Sequence, residues 1–173
     1  LYEHWLSTRG VPEECATHYK AGKPMPEKLR KRMEAARNFN QGFATVEYTA
    51  CALVDMALYA EPAKASIDID RFEADTLAHL GMPREIAMRH RLPHFMHIMG
   101  GYSAGYYSYL WSEVMDADAF SAFEETGNVF DPKTANRLRE FIYSAGNKRD
   151  PHDAYIAFRG RPPCTPGSVA RRR

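Results

Sequence analysis

His97-Ile98-Met99-Gly100-Gly101-Tyr102-Ser103-Ala104-Gly105-Tyr106-Tyr107-Ser108-Tyr109-Leu110-Trp111 brings one imidazole, three glycines and four tyrosines into fifteen residues. Phenols are costly to bury unless each hydroxyl finds a partner. A glycine-rich turn flanked by polar aromatics therefore suits the holding of a polar ligand, such as a peptide backbone, better than an ordinary core helix. The competing reading is a set of core or interface aromatics with satisfied hydroxyls. A helix is predicted from Ala104 to about Glu125, closed by Gly127. On that helix Tyr106 and Tyr109 share a face with Glu113, with Tyr102 beside it in the approach loop. Tyr107, Leu110, Trp111 and Val114 turn toward the core. Tyr102, Tyr106 and Tyr109 are thus expected to line a cleft. Gly100, Gly101 and Gly105 permit close backbone approach and unusual dihedrals there.

The punctuation on either side of this stretch predicts an all-α protein. Pro12 begins a helical run through Tyr19 that Gly22 can close, and Pro24-Met25-Pro26 resets the chain. From Glu27 to Phe39, Leu29, Met33, Ala36 and Phe39 recur at helical spacing. From Phe43 to Tyr59 the stripe Phe43, Val46, Ala50, Val54 and Leu58 reads as a buried helix. A linker follows from Glu61-Pro62 to about Asp68, then a helix from Arg71 to Leu80 stopped by Gly81 and Pro83. Pro83 to Arg91 reads as one more short helix, broken by Pro93. Asp131-Pro132 and Asp150-Pro151 are each an N-cap followed by proline at the first helical position, and Gly146 and Gly160 lie past the far ends.

The chain has 173 residues, enough for one domain with a real core. Lys+Arg number 23 against 22 Asp+Glu, a balance that disfavours a nucleic-acid partner. Arg171, Arg172 and Arg173 read as a solvated end. The cysteines, Cys15, Cys51 and Cys164, are too widely spaced for a metal motif or disulfide framework, which points to a reducing, cytoplasmic compartment. No apolar run has the length of a membrane span, and no signal peptide is read. Leu1-Tyr2-Glu3-His4-Trp5, without a Met, reads as the middle of a helix and suggests a fragment of something larger. His90, His94 and His97 have a spacing that suits metal ligands on a helix, but Pro93 interrupts it and no carboxylate falls at a matching position. His90, between Arg89 and Arg91, is expected at the surface; His97 is the functional candidate.

These motifs resemble the thimet oligopeptidase family of zinc metallopeptidases, which includes oligopeptidase A and bacterial peptidyl-dipeptidases. The resemblance rests on His97 to Tyr102, Ala104 to Tyr109, and Trp111-Ser112-Glu113-Val114. It continues in Asp118-Ala119-Phe120, Phe123, Leu138-Arg139, Ser144-Ala145-Gly146-Asn147 and Phe158-Arg159-Gly160. Glu3-x-Trp5 and Ala35-Ala36-Arg37 also look like that catalytic domain. The resemblance implies that residues 1–161 are the C-terminal helical part of the domain, with 162–173 an irregular tail. In such enzymes zinc is held by two His of an H-E-x-x-H helix and a later Glu. This chain has no H-E-x-x-H, and Glu3 matches a family Glu near the site but not the third ligand. Zinc is therefore expected in the complete enzyme and not on this chain, which should be inactive alone.

The resemblance assigns catalytic roles to His97 and Tyr109, and substrate binding to His97, Gly100, Gly101, Tyr102, Tyr106 and Tyr109. Implied partners are short peptides and the remainder of the parent domain, with no nucleic acid or membrane. Apolar faces left without that remainder are expected to cause self-association. The loop spacing matches the oligopeptidases, while Met82-Pro83-Arg84-Glu85-Ile86 and Asp118-Ala119-Phe120 look like the peptidyl-dipeptidases. A non-catalytic helical module binding peptides or proteins through the tyrosines is the second reading.

Overall fold

The computed structural model of the protein describes residues 1–62 and 66–164. The tail beyond 164, with its three terminal arginines, lies outside the described residues. Among the described residues the regular structure is helical, and the extended backbone makes only one isolated bridge, Thr17 to Pro24. The protein is all-α. The chain divides into two compact units, Leu1–Asn38 with Ser112–Arg173, and Phe39–Trp111.

The first unit contains α1 (Glu3–Leu6), α2 (Gly10–Cys15), α3 (Glu27–Ala36), all but the first turn of α6 (Ser108–Glu124), α7 (Pro132–Leu138) and α8 (Pro151–Arg159). Its core gathers Ala119, Phe123, Leu138 and Phe158, with Leu1, Trp5, Ala122, Phe141 and Ile142 packed against them. Burying a side chain such as Phe123 or Phe158 contributes about 1.5–3 kcal/mol. Trp5 meets Phe120 and Phe123 edge-on at 4.8 and 5.1 Å, and its indole N–H donates to the Val129 carbonyl at 2.8 Å.

The expected caps form. Asp131 accepts from the Thr134 N–H at 2.7 Å, which holds its carboxyl below the usual carboxylate range. Asp150 accepts from the His152 N–H at 2.8 Å, and Gly160 ends α8 at φ 81°. Between α7 and Gly146 the chain adds a π turn over Arg139–Tyr143.

Asp118 is 1% exposed and gathers several donors. It accepts from the Tyr155 hydroxyl at 2.7 Å and Arg161 Nη2 at 2.6 Å, with Arg159 Nε at 3.4 Å. Burial pushes the Tyr155 phenol far above its ordinary value.

Two expectations fail in this unit. The first helical run stops at Cys15 instead of reaching Tyr19, because the chain then turns back through the Thr17–Pro24 bridge around Gly22 at φ 62°. The helical run predicted to Phe39 ends at Ala36, and its Leu29 and Met33 bury nothing. Periodicity marks a face without supplying something to cover it.

The second unit contains α4 (Gln41–Ala60), α5 (Ile69–His79), the segment 80–107 and the first turn of α6. Cys51, Ala52, Val54, Met88, Leu92, Phe95, Ile98 and Tyr106 form its core, with Tyr48, Leu58, Ile69, Phe72 and Leu77 against them. Asp68 caps α5 by accepting from the Arg71 N–H at 3.1 Å. Ala50 and Val54 of the predicted α4 stripe are buried, but Phe43 and Val46 at its start are exposed. The short helix expected over 83–91 does not form. A single turn closes there, Ile86 N–H to the Pro83 carbonyl, followed by two 3₁₀ turns at Leu92–His94 and Met96–Ile98. Pro83 and Pro93 each remove a backbone donor, and Pro93 biases Leu92 away from helical dihedrals.

Candidate functional site

The helix that was expected from Ala104 begins at Ser108. Residues 100–108 instead make consecutive tight turns, with the Ser103, Gly105 and Ser108 N–H groups donating to the carbonyls of Gly100, Tyr102 and Gly105. Ala104 sits at φ 53°, a left-handed conformation that is unusual for a residue with a Cβ. The unusual dihedral thus falls on Ala104 and on none of Gly100, Gly101 or Gly105. Gly105 is needed for a different reason: a Cβ there would lie 3.1 Å from the Tyr102 carbonyl oxygen. A Cβ at Gly100 or Gly101 would meet nothing within 4 Å, so the backbone there is open to a ligand.

The turns rearrange the tyrosines relative to a helical reading. His97 is half-buried and stacks on Tyr102, with ring centroids 4.8 Å apart and planes 12° apart. The Tyr109 hydroxyl lies 3.4 Å from His97 Nε2. Tyr102 and Tyr109 are 66% and 51% exposed. Tyr106 is only 7% exposed and so is a floor, not a cleft wall. Its ring stacks on Tyr48 at 4.9 Å and stands edge-on to Phe95 at 4.8 Å and His97 at 5.6 Å. Tyr107 and Trp111, expected to face inward, are exposed. Helical spacing cannot assign faces ahead of Ser108, and the aromatic pocket of Tyr48, His90 and Phe95 draws Tyr106 in. His90 is half-buried, stacked on Phe95 at 5.1 Å, not a free surface residue. Burial pushes the phenols of Tyr48 and Tyr106 upward, so both are neutral hydrogen-bonding groups at ordinary pH.

The loop is held by side chains of α4 and α5 that the sequence reading missed. Asp55, fully buried, accepts from the Ala104 N–H at 2.9 Å on one oxygen and the Tyr106 N–H at 3.0 Å on the other. The Tyr48 hydroxyl donates to the Tyr106 carbonyl at 2.7 Å, and the Tyr59 hydroxyl donates to the Ile98 carbonyl. Glu73 of α5 accepts from Arg91 Nε at 2.7 Å and the Leu92 N–H at 2.8 Å. An irregular segment leaves its backbone groups without ladder partners, and these side chains supply them. Their signal was a row of Tyr48, Asp55 and Tyr59 at helical spacing on a mainly apolar helix.

His90, His94 and His97 do not converge on a metal site. Among the described residues, the group of three or more such side chains whose ligand atoms lie within 4.8 Å of one another is Asp150, His152 and Asp153, all exposed at the start of α8.

A sequence model of peptidase family M3 matches residues 1–171, and the chain belongs to that family. It is 38% identical over 167 residues to a dipeptidyl carboxypeptidase of Salmonella typhimurium, covering 94% of this chain and 24% of the relative. It is 38% identical over 166 residues to oligopeptidase A of Escherichia coli, covering 93% and 24%. An organellar oligopeptidase A of Arabidopsis thaliana is also 38% identical, over 171 residues, covering 93% and 21%. The chain spans about a quarter of the length of these curated relatives.

Proposed function

We propose that this chain is the C-terminal part of the catalytic domain of a peptide hydrolase and supplies its substrate-binding wall. The observation that carries the reading is the cluster of His97, Tyr102 and Tyr109, with two exposed phenols beside an imidazole on an anchored turn. In this reading Tyr109 and His97 donate hydrogen bonds to the peptide carbonyl oxygen as negative charge develops on it. A single donor of that kind contributes about 10²–10³ in kcat. Tyr102, Gly100 and Gly101 hold the peptide backbone. Tyr106 acts from beneath, its ring supporting His97 and Tyr109.

Zinc supplies the family's hydrolytic chemistry, but this chain's own donors do not suit it. The sequence has no H-E-x-x-H, and the Asp150–His152–Asp153 group is exposed, with the Asp150 carboxylate capping α8. We therefore place the zinc of the complete enzyme on residues outside this chain. The chain alone, given zinc and an internally quenched peptide, is expected to show no chelator-sensitive turnover, whereas the natural-length polypeptide should hydrolyse the peptide. Robust turnover by the chain alone would overturn this. A second reading, a non-catalytic peptide-binding module, draws on the same missing zinc motif. Peptide binding sensitive to Tyr102→Phe and Tyr109→Phe, with no hydrolysis by the natural-length polypeptide, would establish it.

Relatives bearing both the dipeptidyl carboxypeptidase and the oligopeptidase name stand at similar identity, so short peptides are the proposed substrate class in either case. A reducing, cytoplasmic setting belongs to this reading, supported by three cysteines that are all free. Among the described residues no helix is long and apolar enough to cross a membrane. Phe39, Met33, Phe43 and Val46 are exposed, and they support self-association of the isolated chain, which light scattering would detect.

A further inference from the structure

We propose that Asp55 is the positioning residue of the tyrosine turn: its carboxylate clamps the Ala104 and Tyr106 N–H groups and thereby sets Tyr102 and Tyr109 against His97. Asp55 lies on α4 and is fully buried, and its carboxylate accepts from the backbone of the turn. Both of its oxygens are used, one on each side of Gly105. The two N–H groups it holds flank the point where the chain leaves the left-handed conformation of Ala104 and turns toward α6. A left-handed Ala is unfavourable by itself and persists where its surroundings impose it. A doubly accepting carboxylate is such a constraint, because turning the Ala104 N–H away would leave one buried carboxylate oxygen without its donor. The clamp also fixes Tyr106, whose ring is the floor under His97 and Tyr109. The Tyr102 side is tied to the same frame by the Gly105 N–H bond to the Tyr102 carbonyl.

The consequence for catalysis rests on the peptidase reading; the clamp itself does not. Asp55→Asn keeps the shape but presents its NH2 group, a donor, to one of the two N–H groups. Amide hydrogen exchange in the 173-residue chain reads this directly. D55N is expected to speed exchange at Ala104 and Tyr106 at least tenfold, with the Val54 and Leu58 amides of α4 changed less than threefold. A uniform rise through α4, or no rise at the two amides, would overturn the proposal. Should D55N not fold, exchange in the unaltered chain decides: rates at Ala104 and Tyr106 as slow as at Leu92 support the clamp, and open-loop rates refute it. In the natural-length enzyme, D55N is expected to lower kcat at least tenfold and to raise KM about three- to tenfold, with zinc content unchanged. An unchanged kcat would refute the positioning role. If the unaltered natural-length enzyme hydrolyses no peptide, the peptidase reading fails while the exchange result still judges the clamp.

Discussion

Replacing Asp118 by Asn should be the most damaging conservative change in the first unit. The carboxylate is 1% exposed and sits with Arg159 and Arg161, whose side chains are 6% and 38% exposed. Asn keeps an acceptor for the Tyr155 hydroxyl, so that bond survives. The negative charge does not, and Arg159 is left with Glu125, which is largely exposed, and the Asp118 carbonyl. Removing one partner of a buried ion pair costs about 3–5 kcal/mol. The remaining Glu125 contact and the partly solvated Arg161 put the expected loss near the lower end, about 3 kcal/mol. For a chain of this length each kcal/mol shifts the melting temperature by about 2–4 °C, so D118N should melt roughly 6–12 °C lower. Circular dichroism melts of wild type, D118N and Tyr155→Phe measure it, with Y155F expected to lose about 1 kcal/mol because it removes one hydrogen bond and leaves the charges paired. A D118N melt within 2 °C of wild type would refute the reasoning, since it would mean that the buried arginine never depended on this carboxylate.

Alkaline pH tests the buried phenols. Burial raises Tyr48, Tyr106 and Tyr155 above the free value of about 10 and pushes Tyr143 up to about 12. The fold therefore favours their protonated forms, and this stability is complete below about pH 10 and is lost as pH rises through the raised values. Urea midpoints should be level between pH 8 and 9.5 and fall by pH 11, with a smaller fall in Tyr48→Phe; a level midpoint at pH 11 would contradict the burial. Gly105→Ala places a Cβ 3.1 Å from the Tyr102 carbonyl oxygen and must displace backbone. Peptide affinity, followed by tyrosine fluorescence, should weaken about three- to tenfold at a stability cost of roughly 1–2 kcal/mol, and unchanged affinity would show that Tyr102 is not held by this turn.

What the sequence made legible was local. The starts of α7 and α8 follow from Asp-Pro pairs whose carboxylates reach amides two or three residues ahead, a contact that needs no tertiary information. Residue type and spacing pointed to Tyr102, Tyr106 and Tyr109 together, of which Tyr106 is buried, while the joining of His97 to Tyr102 and Tyr109 came through the family resemblance. The start of α6 was not, because Ala104 is bonded by a carboxylate 49 residues away. The same cause inverted Tyr106 and Tyr107: an aromatic pocket built partly from α4 decides which ring goes inside. Asp55 drew no notice in the sequence, and the turn it holds explains its burial. Leu29 and Met33 illustrate the converse, a helical stripe with no buried member.

The central claim is that the exposed phenol beside His97 acts on the peptide. It is tested most directly by the kinetics of Tyr109→Phe in the zinc-loaded, natural-length enzyme. The Tyr109 ring is 51% exposed and its hydroxyl lies at His97 Nε2, so deleting the oxygen should leave the melting temperature within about 2 °C. Tyr109→Phe is expected to lower kcat about 10²-fold with KM within threefold. A kcat within twofold of the unaltered enzyme would contradict it.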